Sequence, residues 1–103
     1  MRVAFVMQLH EGCEEEYRRR HAAISPELAA LLLEAGIRDY SIFLEEKTLQ
    51  LFAILQIDDP TKLDGLATQP VMRRWWDFMK DIMDTNPDGS PVVVSLKEMF
   101  YFA

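Results

Sequence analysis

Apolar residues recur at every second position from Val3 to Leu9. Val3, Phe5, Met7 and Leu9 fall on one side, and Ala4, Val6 and Gln8 on the other. This alternation predicts a strand, and both of its faces are largely apolar. Glu11-Gly12 turns the chain, and the period changes. From Cys13 to about Ala23 the pattern is helical. Glu14, Glu15 and Glu16 each stand four residues before Arg18, Arg19 and Arg20. That spacing predicts three Glu→Arg pairs in the favoured orientation, with the acids near the positive end of the helix dipole. The charge run therefore reads as a solvated helix surface paired with itself. Ser25-Pro26-Glu27 starts a second helix, with Ser25 as N-cap and Pro26 in the first turn. The helical region bends there, just after His21. Leu28, Leu31, Leu32 and Ala35 form the apolar stripe of the second piece, and Gly36 ends it.

The second half repeats the scheme. Asp39 to Leu44 and Leu49 to Ile57 read as strands joined at Glu45-Glu46-Lys47-Thr48, a hairpin signal. On the later strand Leu49, Leu51, Ala53, Leu55 and Ile57 share one face, while Phe52 and Ile54 make the other face apolar too. Asp59 as cap and Pro60 at the first position open a helix over about Thr61 to Ala67. Gln69-Pro70 restarts a helix that runs to about Met83. Its apolar stripe is Met72, Trp75, Met79 and Ile82. Asn86-Pro87-Asp88-Gly89-Ser90-Pro91 is a dense turn cluster. Val92 to Phe102 contains the last strand and ends on Met99-Phe100-Tyr101-Phe102.

The order is β-α-β-β-α-β. It predicts an α+β, ferredoxin-like fold: a four-stranded antiparallel sheet with helices on one face. Strands that are apolar on both faces need cover on the side without helices. The expected cover is a second copy of the chain, packed sheet to sheet or through an exchanged C-terminal strand, as in a dimeric α+β barrel.

Composition narrows the picture further. The 103 residues fit one domain over positions 1–103. A net charge of −6 argues against nucleic acid or an anionic membrane surface as partner. A single cysteine, Cys13, fits a reducing compartment. No leader or membrane-span pattern is present, so a cytoplasmic location is expected. His10 and His21 lie too far apart in sequence to suggest a metal site by spacing, and no metal or cofactor is expected.

The residues that carry chemistry are few. Tyr17 and His21 stand one helical turn apart and stack on one face. A histidine gives and takes protons near neutral pH, so His21 is the candidate acid/base. Trp75 and Trp76 point about 100° apart on a helix. One belongs in the core and the other at the stripe's edge, where an indole suits the C–H face of a sugar. Tyr40, next to Asp39 at the expected start of the second strand, offers a hydroxyl to a pocket at the strand's end.

Taken in order, several segments resemble the L-rhamnose mutarotase family. They are Ala4-Phe5-Val6-Met7-Gln8, Glu16-Tyr17-Arg18-Arg19-Arg20-His21, Ile24 followed after one residue by Pro26-Glu27-Leu28, and Asp39-Tyr40-Ser41-Ile42. Arg74-Trp75-Trp76 and Asn86-Pro87-Asp88-Gly89-Ser90-Pro91-Val92 complete the set. At Ser25 the family usually carries a tryptophan, so a large ring is missing close to His21. The resemblance implies a homodimer with a monosaccharide site in each subunit. His21 matches the catalytic acid, and Tyr17, Tyr40, Trp75 and Trp76 match substrate-binding residues. The implied reaction interconverts the α and β anomers of L-rhamnose, or of a related 6-deoxy sugar such as L-fucose. Two other readings keep the fold: a cofactor-independent monooxygenase or isomerase, and a non-enzymatic sugar-binding dimer. The monooxygenase class would want a larger cavity, and a sugar-sized pocket is expected here.

Overall fold

The computed structural model describes residues 1–103. The elements run β1 (Arg2–Gln8), α1 (Glu14–Ala22), α2 (Pro26–Glu34), β2 (Ile37–Glu45), β3 (Gln50–Ile57), α3 (Lys62–Leu66), α4 (Pro70–Met79) and β4 (Val94–Leu96). The four strands form one antiparallel sheet in the order β2-β3-β1-β4. This is the ferredoxin-like arrangement expected from the element order, with each helical half in two pieces.

Register fixes which residues meet the helices. Val3 pairs with Leu55, Phe5 with Ala53, and Met7 with Leu51, while Ile42 and Leu44 lie opposite Ala53 and Leu51. These residues face the helix layer, where Leu51, Ala53, Leu55 and Ile57 are almost wholly buried. One core cluster joins Met7, Leu9, Tyr17, Leu51, Met79, Ile82 and Met83. The other joins Leu28, Ala35, Ile37, Leu55, Ile57, Leu66 and Met72. The opposite face carries a cross-strand row, Phe43–Phe52–Val6–Val94. Phe43 is 61 % exposed and Val94 60 %.

The ends of four elements differ from expectation. β2 begins at Ile37, so Tyr40 lies inside the strand. α3 begins after Thr61: Asp59 accepts from the Thr61 N–H and hydroxyl, making a turn that delays the helix. α4 stops at Met79 because the following segment folds back onto the end of β1. There Met83 bridges Leu9, and the Asp84 N–H donates to the Gln8 carbonyl at 3.0 Å. β4 is only three residues long, and Met99–Phe102 lie beyond the sheet, exposed. The charge run pairs differently as well. Glu14–Arg18 and Glu16–Arg20 form, but Glu15–Arg19 does not, because Arg19 turns to Glu16 and Arg18 reaches Glu15. The caps at the bend hold as expected. The Ser25 hydroxyl accepts from the Leu28 N–H at 3.1 Å, and Gly36 sits at φ +84°, which an L side chain resists.

Candidate functional site

α1 carries the site's titratable group at its last turn. The i,i+4 spacing stacks Tyr17 on His21, with ring centroids 4.1 Å apart and planes 28° from parallel. Trp75 of α4 also meets the imidazole, in an edge-on arrangement at 5.1 Å and 87°. The imidazole thus packs against both a phenol and an indole. Its Nδ1 lies 2.9 Å from the Tyr17 carbonyl oxygen. A carbonyl only accepts, so Nδ1 carries the hydrogen and fixes the tautomer. In the neutral ring Nε2 then holds the lone pair, and no group of the chain engages it.

Burial lowers the His21 pKa below its ordinary 6.5, partly offset by the bond to the Tyr17 carbonyl. The ring is neutral at pH 7. Burial raises the Tyr17 phenol well above its ordinary value, with the nearby Tyr40 adding to the shift. Burial pushes Tyr40 up to about 12. Both hydroxyls therefore stay protonated and can donate.

Tyr40 reaches the site through an irregularity in β2. The register slips between Arg38 and Ser41, so two residues of β2 oppose one of β3. Asp39 takes a left-handed conformation there, φ +50°. A bulge re-aims the side chain it carries. Tyr40 is 39 % exposed and lines the same cleft as Tyr17 and His21.

The two tryptophans divide as the helix geometry requires. Trp75 packs against both core clusters. Trp76 joins only the second, with the Arg73 guanidinium 5.7 Å from its ring centroid. Tyr17, His21, Tyr40, Trp75 and Trp76 all line one solvent-open cleft between the sheet and the helices. Its volume is about 1220 Å³, larger than the expected sugar-sized pocket. The helix layer does not seal the sheet, so the cleft runs on past the aromatic walls toward Val93 and Ser95 of the β4 edge. Size alone therefore does not separate the mutarotase reading from the monooxygenase one.

The other histidine stands outside this group. His10 Nε2 lies 2.9 Å from Asp84 Oδ1 in a surface pair. Two features escaped the sequence reading. Arg20 leaves the helix surface to bind Asp81 and the Phe78 carbonyl, and Phe78 tilts against Trp75 at 6.0 Å. The available signal was the position of Phe78, three residues after Trp75, which carries the aromatic face toward the end of α4.

Comparison with known proteins bears on the whole arrangement. A family model described as L-rhamnose mutarotase matches residues 2–102. The L-rhamnose mutarotase of Burkholderia ambifaria (strain MC40-6) is 54 % identical over 99 residues, covering 96 % of this chain and 95 % of that protein. The crystal structure of L-rhamnose mutarotase FA22100 from Formosa agariphila superimposes with a TM-score of 0.94 at 43 % identity, covering 100 % of this chain and 99 % of that one. A dimeric ferredoxin-like protein from Jannaschia sp. CCS1 shares the fold alone, with a TM-score of 0.59 at 18 % identity over 95 % of this chain and all of that one. Topology, the ordered motifs and a match along nearly the full length agree, and the chain belongs to the L-rhamnose mutarotase family.

Proposed function

We propose that this chain is an aldose 1-epimerase that interconverts the α and β anomers of L-rhamnopyranose, or of a related 6-deoxy sugar such as L-fucose, with His21 as its proton-transfer group. The supporting observation is the imidazole itself. Its Nδ1–H is tied to the Tyr17 carbonyl and its Nε2 is left to the cleft, beside the Tyr17 and Trp75 rings. Tyr17 and Tyr40 donate hydrogen bonds to sugar hydroxyls, and the indoles of Trp75 and Trp76 receive the sugar's C–H faces.

The chemistry moves only protons. The neutral His21 Nε2 accepts the proton of the anomeric hydroxyl, and the bond from the anomeric carbon to the ring oxygen breaks. The imidazolium, its Nδ1–H held by the carbonyl, gives the proton from Nε2 to the ring oxygen. The open-chain aldehyde turns its other face, and the same steps in reverse close the ring as the other anomer. Protons balance within one sugar, and the reaction calls for no electron carrier or Lewis acid. General acid–base catalysis of this kind contributes ~10²–10⁴-fold.

Saturation-transfer NMR of anomer exchange in L-rhamnose, L-fucose and D-glucose tests the reading. Acceleration is expected for a 6-deoxy sugar, and none for any of the three would sink the proposal. Exchange as fast with His21→Ala as with the wild type would remove His21 from the reaction and favour a binding module.

The same reading includes a homodimer and a cytoplasmic location. The dimer rests on the uncovered apolar row Phe43–Phe52–Val6–Val94 and on the exposed run Met99–Phe102. For location, no helix is long and apolar enough to cross a membrane.

A further inference from the structure

α1 is loosely held. Of its nine residues only Tyr17 is buried. α2 packs along α4 and β2, whereas α1 comes near other elements only sparsely. Yet the His21–Trp75 contact spans α1 and α4. The Tyr17–His21 stack lies within α1 and cannot set that distance. Tyr17 anchors the middle of α1 in the core beside Met79 of α4, and the last turn has a second hold.

Arg20, next to His21 in the chain, makes the connection. Its side chain is 10 % exposed, against 72 % for Arg18 and 69 % for Arg19. Nε–H donates to Glu16 Oε2 at 2.7 Å, within α1. Nη1–H donates to the Phe78 carbonyl at 2.6 Å and to Asp81 Oδ1 at 2.8 Å, and Nη2–H to Asp81 Oδ2 at 3.2 Å. The guanidinium also lies 4.4 Å from the centroid of the Phe78 ring, and that ring leans on Trp75. A planar fork bonded to both helices fixes separation and angle together, which a flexible ammonium does not. Helix self-pairing does not explain this set, since Arg18 and Arg19 pair at the surface without leaving α1.

We infer that Arg20 is a positioning residue. By clamping α1 to the end of α4 it holds the His21 imidazole against Trp75 in the orientation proton transfer needs. The inference rests on His21 acting on the sugar as proposed above, and the misplacement of a reacting group by about 1 Å costs on the order of 10²-fold in rate.

The test uses the full chain as Arg20→Gln, Arg20→Lys and Arg19→Gln. Two quantities are read: anomer exchange by saturation transfer, and the chemical shifts of the His21 ring protons, which the Tyr17 and Trp75 ring currents displace. Arg20→Gln is expected to lower kcat by about 10- to 100-fold, with a smaller change in KM, and to move the His21 resonances toward those of a free imidazole. Arg20→Lys recovers part of both effects, and Arg19→Gln changes neither. Unmoved His21 resonances in Arg20→Gln would overturn the inference, as would moved resonances with an unchanged kcat. Where Arg20→Gln fails to fold, Asp81→Ala removes both bonds to that carboxylate while leaving those to Glu16 and the Phe78 carbonyl, and it is judged by the same two readings. A wild type that accelerates nothing defeats the proposed function instead, and moved resonances in the variant would then still show the clamp.

Discussion

At the scale of single residues, the proposed role of His21 makes the rate depend on its protonation state, and its burial makes stability depend on it too. Burial puts its folded pKa below 6.5. Exchange that depends on the neutral ring is therefore level through pH 7 and declines as acid protonates His21, with a midpoint under 6.5. A pH–rate profile corrected for spontaneous mutarotation checks this, and a rate that rises on acidification would contradict the neutral starting state. Linkage gives the matching sign for stability. Below pH 6.5 the unfolded chain binds this proton more readily than the folded one. His21's contribution is intact above 6.5 and is lost as pH falls toward the lowered folded value. His21→Gln should flatten the acid side of the melting-temperature profile, measured by calorimetry. The candidate residue itself was legible in the sequence, because four-residue spacing on a helix dictates the Tyr17–His21 stack. Its tautomer was not, since that depends on which ring nitrogen meets the carbonyl.

At the scale of elements, the bulge in β2 decides how Tyr40 enters the site. Asp39 sits at φ +50°, where aspartate is tolerated and a β-branched side chain is not. Asp39→Val should lower stability by about 1–3 kcal/mol in urea unfolding and raise KM by misdirecting Tyr40. Asp39→Gly, free to take that conformation, should keep KM near wild type. Equal KM values in both variants would detach the bulge from substrate binding. Strand and helix identity followed from apolar period, and the Ser25 cap and Gly36 stop from side-chain chemistry. The bulge did not follow, because alternation along Ile37–Glu45 does not reveal that one residue has been inserted. The early end of α4 has a similar cause. Ile82 and Met83 continue the apolar pattern of the helix, but their backbone bonds to the end of β1 instead.

At the scale of the whole molecule, the open sheet face sets the expected assembly. Phe43 stands in an apolar cross-strand row with no helix over it. In a two-fold dimer built on this face, Phe43→Glu places an unpaired carboxylate in each half of a desolvated contact, a cost of several kcal/mol. Light scattering should give twice the 12.0 kDa chain mass for the wild type and 12.0 kDa for the variant. Wild type at 12.0 kDa, or a variant that stays paired, would reject this face as the interface. The same uncovered sheet and loosely packed α1 leave the cleft larger than one sugar needs.

Sequence by itself determined the period of each element, their order, the fold that order permits, and the local Tyr17–His21 pair. These rest on interactions within a few residues or on which face a residue takes. Tertiary structure alone decided what lies across from them. Arg20 added Asp81 and the Phe78 carbonyl to its helical partner Glu16, Trp75 came edge-on to His21, and Tyr40 lies at a bulge. Such choices depend on distances between residues far apart in the chain, set by how helices seat on a sheet, and no local pattern encodes them.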